Sequence, residues 1–70
     1  MRKQFVSSST AEALGYDEKA KILRVWFTTG NVYDYARVPK IKFKNLLHAS
    51  SIGEYFNKNI KGFYTYKKIE

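Results

Sequence analysis

The sequence predicts an α+β fold: a three-stranded antiparallel β-meander followed by two short helices packed on one face, with a possible short C-terminal strand. Three observations carry that prediction. Across Ile22–Thr28, Leu23, Val25 and Phe27 alternate with Arg24 and Trp26, the period-two pattern of a half-buried strand. At Pro39 the β-prone first half ends, and apolar residues then recur at helical spacing. Aromatic residues make up 17% of the 70-residue chain and cysteine none of it. A domain this short must therefore draw its buried area from Tyr, Phe and Trp, each of which can cover about 150–250 Å².

One domain spans residues 1–70, with a core expected over about 6–68 and a flexible lead at 1–5. Ala11 to Tyr16 reads as the first strand, with Gly15 near its end. Asp17-Glu18-Lys19-Ala20-Lys21 is polar and turn-like, and Ile22–Thr28 follows as the second strand. Thr29-Gly30-Asn31 is a hairpin turn, since Gly and Asn tolerate positive φ, and Val32–Val38 is the third strand.

The length of that turn decides where the tyrosines face. A two-residue turn at Thr29-Gly30 pairs Phe27 with Val32 and leaves Trp26, Tyr33 and Tyr35 as an exposed platform. A three-residue turn centred on Gly30 pairs Phe27 with Tyr33 and Val25 with Tyr35, and sets Asp34 beside Arg24 on the wet side. The second is preferred, because the first places an aspartate among core residues, where an unpaired charge is costly.

Pro39 suits the first turn of a helix, where its missing N–H is no loss. On a helix over 39–49, Phe43, Leu46 and Leu47 share an arc of about 100°. Lys44, Asn45 and His48 lie opposite, Lys40 and Lys42 flank, and Ile41 falls on the wet side. Ser51-Ile52-Gly53-Glu54 fits a capping box. Behind it Ile52, Tyr55, Phe56 and Ile60 share one face and Glu54, Asn57, Lys58 and Lys61 the other, with Gly62 as the stop. Phe63–Tyr66 is β-prone and packs over the sheet or adds a strand.

The chemistry present is sparse. Without cysteine there is no disulfide, thiol nucleophile or thiolate metal site. His48 is the only histidine and falls on the wet side of a helix, without the positioning partners a general base needs. Ser7-Ser8-Ser9-Thr10 brings hydroxyls without a base, and the four glycines make no phosphate loop. The expectation is a protein that is not an enzyme, with no cofactor and no metal. The basic start has no apolar run behind it, so it does not read as a signal peptide, and no stretch could span a membrane. A cytoplasmic location is expected.

Thirteen Lys/Arg against six Asp/Glu give a net charge of +7. Five basic and four acidic residues precede Arg37, whereas eight basic and two acidic residues follow from it, so the excess lies almost wholly in the second half. Such a balance points to an anionic partner, nucleic acid first.

The chain resembles the KTSC domain, a module named for the C-terminus of some lysyl-tRNA synthetases and also found alone as a small bacterial or phage protein. The resemblance runs through Ser8-Ser9, Gly15-Tyr16-Asp17, the Leu23/Val25/Phe27 strand, Gly30-x-Val32-Tyr33-x-Tyr35 and Val38-Pro39. It continues through Leu46-Leu47-x-Ala49-x-Ser51-x-Gly53, Tyr55-Phe56-Asn57, Ile60, Tyr64 and Tyr66, about 6–68 in all. It implies a compact α+β domain without assigned enzymatic activity, for which RNA binding is suggested by attachment to a tRNA-charging enzyme. Thr10-Ala11 departs from the apolar residue the family shows after its serines, so the first strand is expected to be less firmly anchored.

The candidate nucleic-acid-binding residues are Arg24, Trp26, Arg37, Lys40, Lys44, Lys58 and Lys61. The four lysines lie on the wet faces of two consecutive helices, where they could merge into one phosphate-binding patch. Tyr33 and Tyr35, the pair the family motif carries, serve either as core area or as a base-stacking platform, with the core role favoured by the turn argument. Trp26 is an outer-face contact residue unless the Phe63–Tyr66 tail covers it. The alternative function is a protein-interaction module that binds a host protein or pairs with itself.

Overall fold

Backbone pairing, more than side-chain pattern, sets the size of the sheet. The computed structural model describes all residues, Met1–Glu70, and contains five strands and two helices. The strands are β1 (Gln4–Phe5), β2 (Ala11–Asp17), β3 (Ile22–Phe27), β4 (Val32–Tyr35) and β5 (Tyr66–Lys68). They form one antiparallel sheet in sequential order, and α1 (Lys40–Leu47) and α2 (Ile52–Asn59) lie between β4 and β5 in the chain. The α+β class is as expected, but the sheet has five strands where three and a possible short C-terminal strand were expected.

Both extra strands lie at the edges. In the segment expected to be a loose lead, Gln4 and Phe5 pair with Leu14 and Ala13, and the Val6 N–H donates to the Glu12 carbonyl at 3.0 Å. Two residues are too few to show a period, so this strand left no pattern in the sequence. At the other end β5 begins where the Phe63–Tyr66 window stops. All three of its residues are exposed, and it is held by pairing of Tyr66, Lys67 and Lys68 with Tyr35, Asp34 and Tyr33.

The central hairpin has the expected three-residue loop, set one residue earlier in the chain. The Phe27 N–H donates to the Asn31 carbonyl at 2.9 Å and the Gly30 N–H to the Phe27 carbonyl at 3.0 Å, so the loop is Thr28-Thr29-Gly30. Gly30, at φ +98°, supplies the left-handed residue at the third loop position instead of the middle. Leu23 therefore pairs with Tyr35, Val25 with Tyr33 and Trp26 with Val32. This register differs by two residues from the preferred one. A two-residue shift leaves every side chain on its own face, so Tyr33 and Tyr35 still join Leu23, Val25 and Phe27, and Arg24 stands directly opposite Asp34.

A bulge between Ala11 and Ala13 sets Ala11 opposite Phe27 and Ala13 opposite Trp26. The insertion puts Ala11 and Leu14 on the helix-covered face and Ala13 on the other. β4 stops at Tyr35 instead of Val38 because Arg37 turns into the left-handed region at φ +59°. The Ala36 N–H then donates to the Thr65 carbonyl and the Val38 N–H to the Lys21 carbonyl, both at 2.9 Å.

The helices follow the periodicity. Phe43 and Leu46 are buried and Leu47 packs against the core, whereas Ile41 lies in solvent. Ser51 Oγ accepts from the Glu54 N–H at 3.2 Å, one half of a capping box. The Glu54 carboxylate turns to Lys58 Nζ, at 3.2 Å, instead of completing it. Between helices and sheet, Leu14, Leu23, Val25, Val38, Leu46 and Ile60 are all but inaccessible, with Tyr35, Phe43 and Phe56 closing around them. Despite Thr10-Ala11, the start of β2 is tied down: Ala11 is buried, and the Thr28 N–H donates to the Thr10 carbonyl at 3.1 Å.

Candidate nucleic-acid interface

On the sheet face that no helix covers, the alternation of β3 presents Arg24 and Trp26. Arg24 Nε and Nη2 donate to the two Asp34 carboxylate oxygens at 2.7 and 2.9 Å, a fork matched to a carboxylate. This pair raises the pKa of the guanidinium above its already high ordinary value. Arg24 is thus committed within the sheet. Trp26 is half-buried, with Lys3 Nζ 5.0 Å from its ring and the Arg24 guanidinium carbon at 5.9 Å. Lys3 lies over Trp26, whereas Tyr66 of the Phe63–Tyr66 run lines the opposite face; Lys3 also lies over the ring of Phe5, likewise at 5.0 Å.

The four helix lysines do not form one patch. Lys40 Nζ lies 2.8 Å from Glu18 at the β2–β3 turn, and this hydrogen-bonded pair lowers the Glu18 pKa and raises that of Lys40. Lys44 belongs to the same end, since its charge also reaches Glu18. Lys61 lies at the opposite end, beside Thr29 and Asn31 of the β3–β4 turn. The two ends are a strand length apart, about 20 Å for six residues. Lys58 is between them on α2, held by Glu54. Exposed pairs of this kind are worth about 0–1 kcal/mol, so a phosphate could compete for Lys40 or Lys58. Arg37, Lys44 and Lys61 are exposed and have no carboxylate partner.

Sequence reasoning missed a groove of about 420 Å³ between β3–β4–β5 and the C-terminal end of α2. Its apolar wall is five rings: Phe27, Tyr33, Tyr35, Phe56 and Tyr66. Phe56 meets Phe27 and Tyr35 edge-on, each with centroids 5.4 Å apart, and Tyr66 leans on Tyr33 at 5.4 Å and on Tyr35 at 5.7 Å. Tyr35 and Phe56 are core, Phe27 and Tyr33 are half-buried, and Tyr66 is 63% exposed. The motif tyrosines thus divide: Tyr35 builds the floor and Tyr33 reaches the surface. The rim carries Thr10, Asn31, Asn57 and Lys61. Lys68, directly across from Tyr33, extends the same face. Burial, and then the neighbouring Tyr33 and Tyr66, push the Tyr35 hydroxyl up to about 12, so it stays protonated and able to donate at neutral pH. The signal available in the sequence was Tyr66 at the end of a β-prone run. Its position over the tyrosine pair depends on the pairing of β5 with β4, which that run does not specify.

His48 lies exposed at the C-terminal end of α1, and Ser8 Oγ accepts from the Thr10 and Ala11 N–H groups as a turn cap. No group of three His, Cys, Asp or Glu is placed to hold a metal ion, and no helix is long and apolar enough to cross a membrane.

Comparison with known proteins matches this architecture. Residues 7–64 match the family model of the KTSC domain. The crystal structure of a KTSC domain protein from Yersinia pestis superposes with a TM-score of 0.95 at 35% identity, covering 99% of this chain and 97% of the other. A protein of Stutzerimonas stutzeri is 38% identical over the full length of both chains. A lysine–tRNA ligase of Nostoc punctiforme is 34% identical over 61 residues, 87% of this chain but 11% of the ligase. With a matching family model over most of its length and full-length relatives above 30% identity, the chain belongs to the KTSC family.

Proposed function

We propose that the protein is a non-catalytic module that binds single-stranded RNA from its helix-bearing side. The observation that carries this reading is the set of cations on that side with no carboxylate partner, Lys44, Lys61 and Lys68, in a chain of net charge +7. The segment's occurrence in lysine–tRNA ligases, whose name gives tRNA as a substrate, supports RNA over other polyanions. A cysteine-free chain with no membrane-crossing helix suits action in the cytoplasm. The exposed lone histidine and the Ser8 hydroxyl engaged in turn capping support a role without catalysis.

Titration of a short labelled single-stranded RNA at several salt concentrations tests the proposal. Each phosphate neutralised contributes about −0.7 to the slope of log affinity against log salt, so three lysine contacts give about −2. Absence of binding at low salt would refute it.

A second reading, docking of a protein on the helix-free face, is favoured by Phe5 and Met1, 71% and 53% exposed on the side of the sheet that Trp26 occupies. It predicts loss of the partner in Phe5→Ser and mild salt dependence.

A further inference from the structure

We infer that the aromatic groove beside α2 takes one unpaired base of the RNA, stacked against Tyr66 and Tyr33, while Lys61 and Lys68 hold the flanking phosphates. The inference rests on the RNA-binding reading and adds to it which part of the RNA is gripped, and where. Four features of the groove point to a planar, polar-edged ligand attached to an anion.

Its volume of about 420 Å³ falls in the lower part of the range for small-molecule sites, roughly 300–1,000 Å³, which suits one base and not a duplex. Its outermost wall is Tyr66, 63% exposed, a large aromatic surface left in water by a chain short of buried area. The ring is held in place by Tyr33 and Tyr35, so little conformational freedom is lost when a ligand stacks on it. The rim is polar where a base has its edges: the Asn31 and Asn57 amides and the Thr10 hydroxyl can pair with base nitrogens and carbonyls. Lastly, the charge is complementary on both sides. Lys61 lines the groove from the helix, and Lys68 approaches from β5 on the face of Tyr33, neither held by a carboxylate. An apolar ligand would leave these amides and ammonium groups unused, and a phosphate chain alone would leave the rings unused.

The test compares two polyanions of similar length: single-stranded RNA, which has bases, and inorganic polyphosphate, which has none. Each is titrated into the parent chain and into Tyr66→Leu, Tyr66→Phe and Lys61→Gln, with thermal melts confirming that the variants fold. Loss of one stacked base should weaken RNA binding about tenfold in Tyr66→Leu, with Tyr66→Phe near the parent. Polyphosphate binding should be unchanged in both tyrosine variants, and Lys61→Gln should weaken both ligands. If RNA binds the parent but Tyr66→Leu stays within twofold of it, the groove assignment is wrong and the RNA-binding reading survives. Should Tyr66→Leu weaken RNA and polyphosphate alike, the ring is not reading a base and the assignment again fails. If the parent binds no RNA at low salt, the underlying reading fails.

Discussion

The two faces of the sheet are built from the same hairpin and end in opposite states. On the covered face, Leu23, Val25 and Phe27 of β3 meet Tyr33 and Tyr35 of β4, and the helices close over them. On the other, Arg24 and Trp26 meet Asp34 and Val32 under no helix at all. The open face satisfies itself: Arg24 is locked to Asp34, and Trp26 lies under Lys3. The covered face is the one left incomplete, because α2 ends before β5 arrives and the rings between them stay partly wet. Exposure to solvent is therefore a poor guide to availability. A charged side chain already paired in its fork has less to offer a partner than a half-covered aromatic beside an unpaired lysine.

Truncation should separate the faces most strongly. Phe56→Ala removes a ring at the centre of the covered cluster and should cost about 3–5 kcal/mol, most of the stability of so small a domain. Trp26→Ala, on a half-buried ring of the open face, should cost about 1–2 kcal/mol. Thermal or urea melts read both, and equal costs would erase the distinction.

The covered face should also reveal itself at alkaline pH. The Tyr35 hydroxyl titrates near 10 in the unfolded chain and at about 12 in the folded one, so the stability it contributes is present in full below pH 10 and lost as pH rises through 12. A shift of this size amounts to at most about 2–3 kcal/mol, and to less once solvent in the groove screens the hydroxyl. Tyr35→Phe, which has no such hydroxyl, should lose less stability over that interval in urea melts at stepped pH.

Smaller still is the effect expected on the open face from Asp34→Asn. It leaves the Arg24 fork half-met and should cost about 1–2 kcal/mol without altering RNA affinity. The least effect on stability, within about 0.5 kcal/mol, is expected of Lys44→Glu with Lys61→Glu, both on exposed positions. That double variant should nonetheless flatten the salt dependence of RNA binding, as a fluorescence titration would show. A slope unchanged by it would move the phosphate contacts elsewhere.

What was legible in the sequence was whatever side-chain period encodes. The alternation of β3 and the apolar arcs of α1 and α2 placed the core, and the cost of burying Asp34 was enough to put both tyrosines on the covered face. The exact register was not legible, because two registers that differ by two residues share the same faces and only the loop hydrogen bonds of Phe27 and Gly30 choose between them. β1 was illegible for another reason: it is two residues long and held by backbone pairing, which any side chain allows; of the three-residue β5 only the β-prone run leading into it was legible, not its extent or partner. The candidate site fell between these cases. Its lysines were found one by one, and Glu54, four residues before Lys58 on the same wet face, was in view with them; a helical face carries no information about Glu18 in a distant turn, which occupies Lys40. The groove depends on Tyr66 being carried back across Tyr33 by β5, and no local pattern records that step.

The contact face itself can be observed directly by following backbone and indole amide resonances of the ¹⁵N-labelled protein as single-stranded RNA is added. The account predicts shifts concentrated at Asn31, Asn57, Lys61, Gly62 and Tyr66, with the Trp26 indole and Arg24 nearly still. Shifts centred on Trp26, Lys3 and Phe5 would place the interface on the open face and contradict it, as would a spectrum that RNA leaves unchanged.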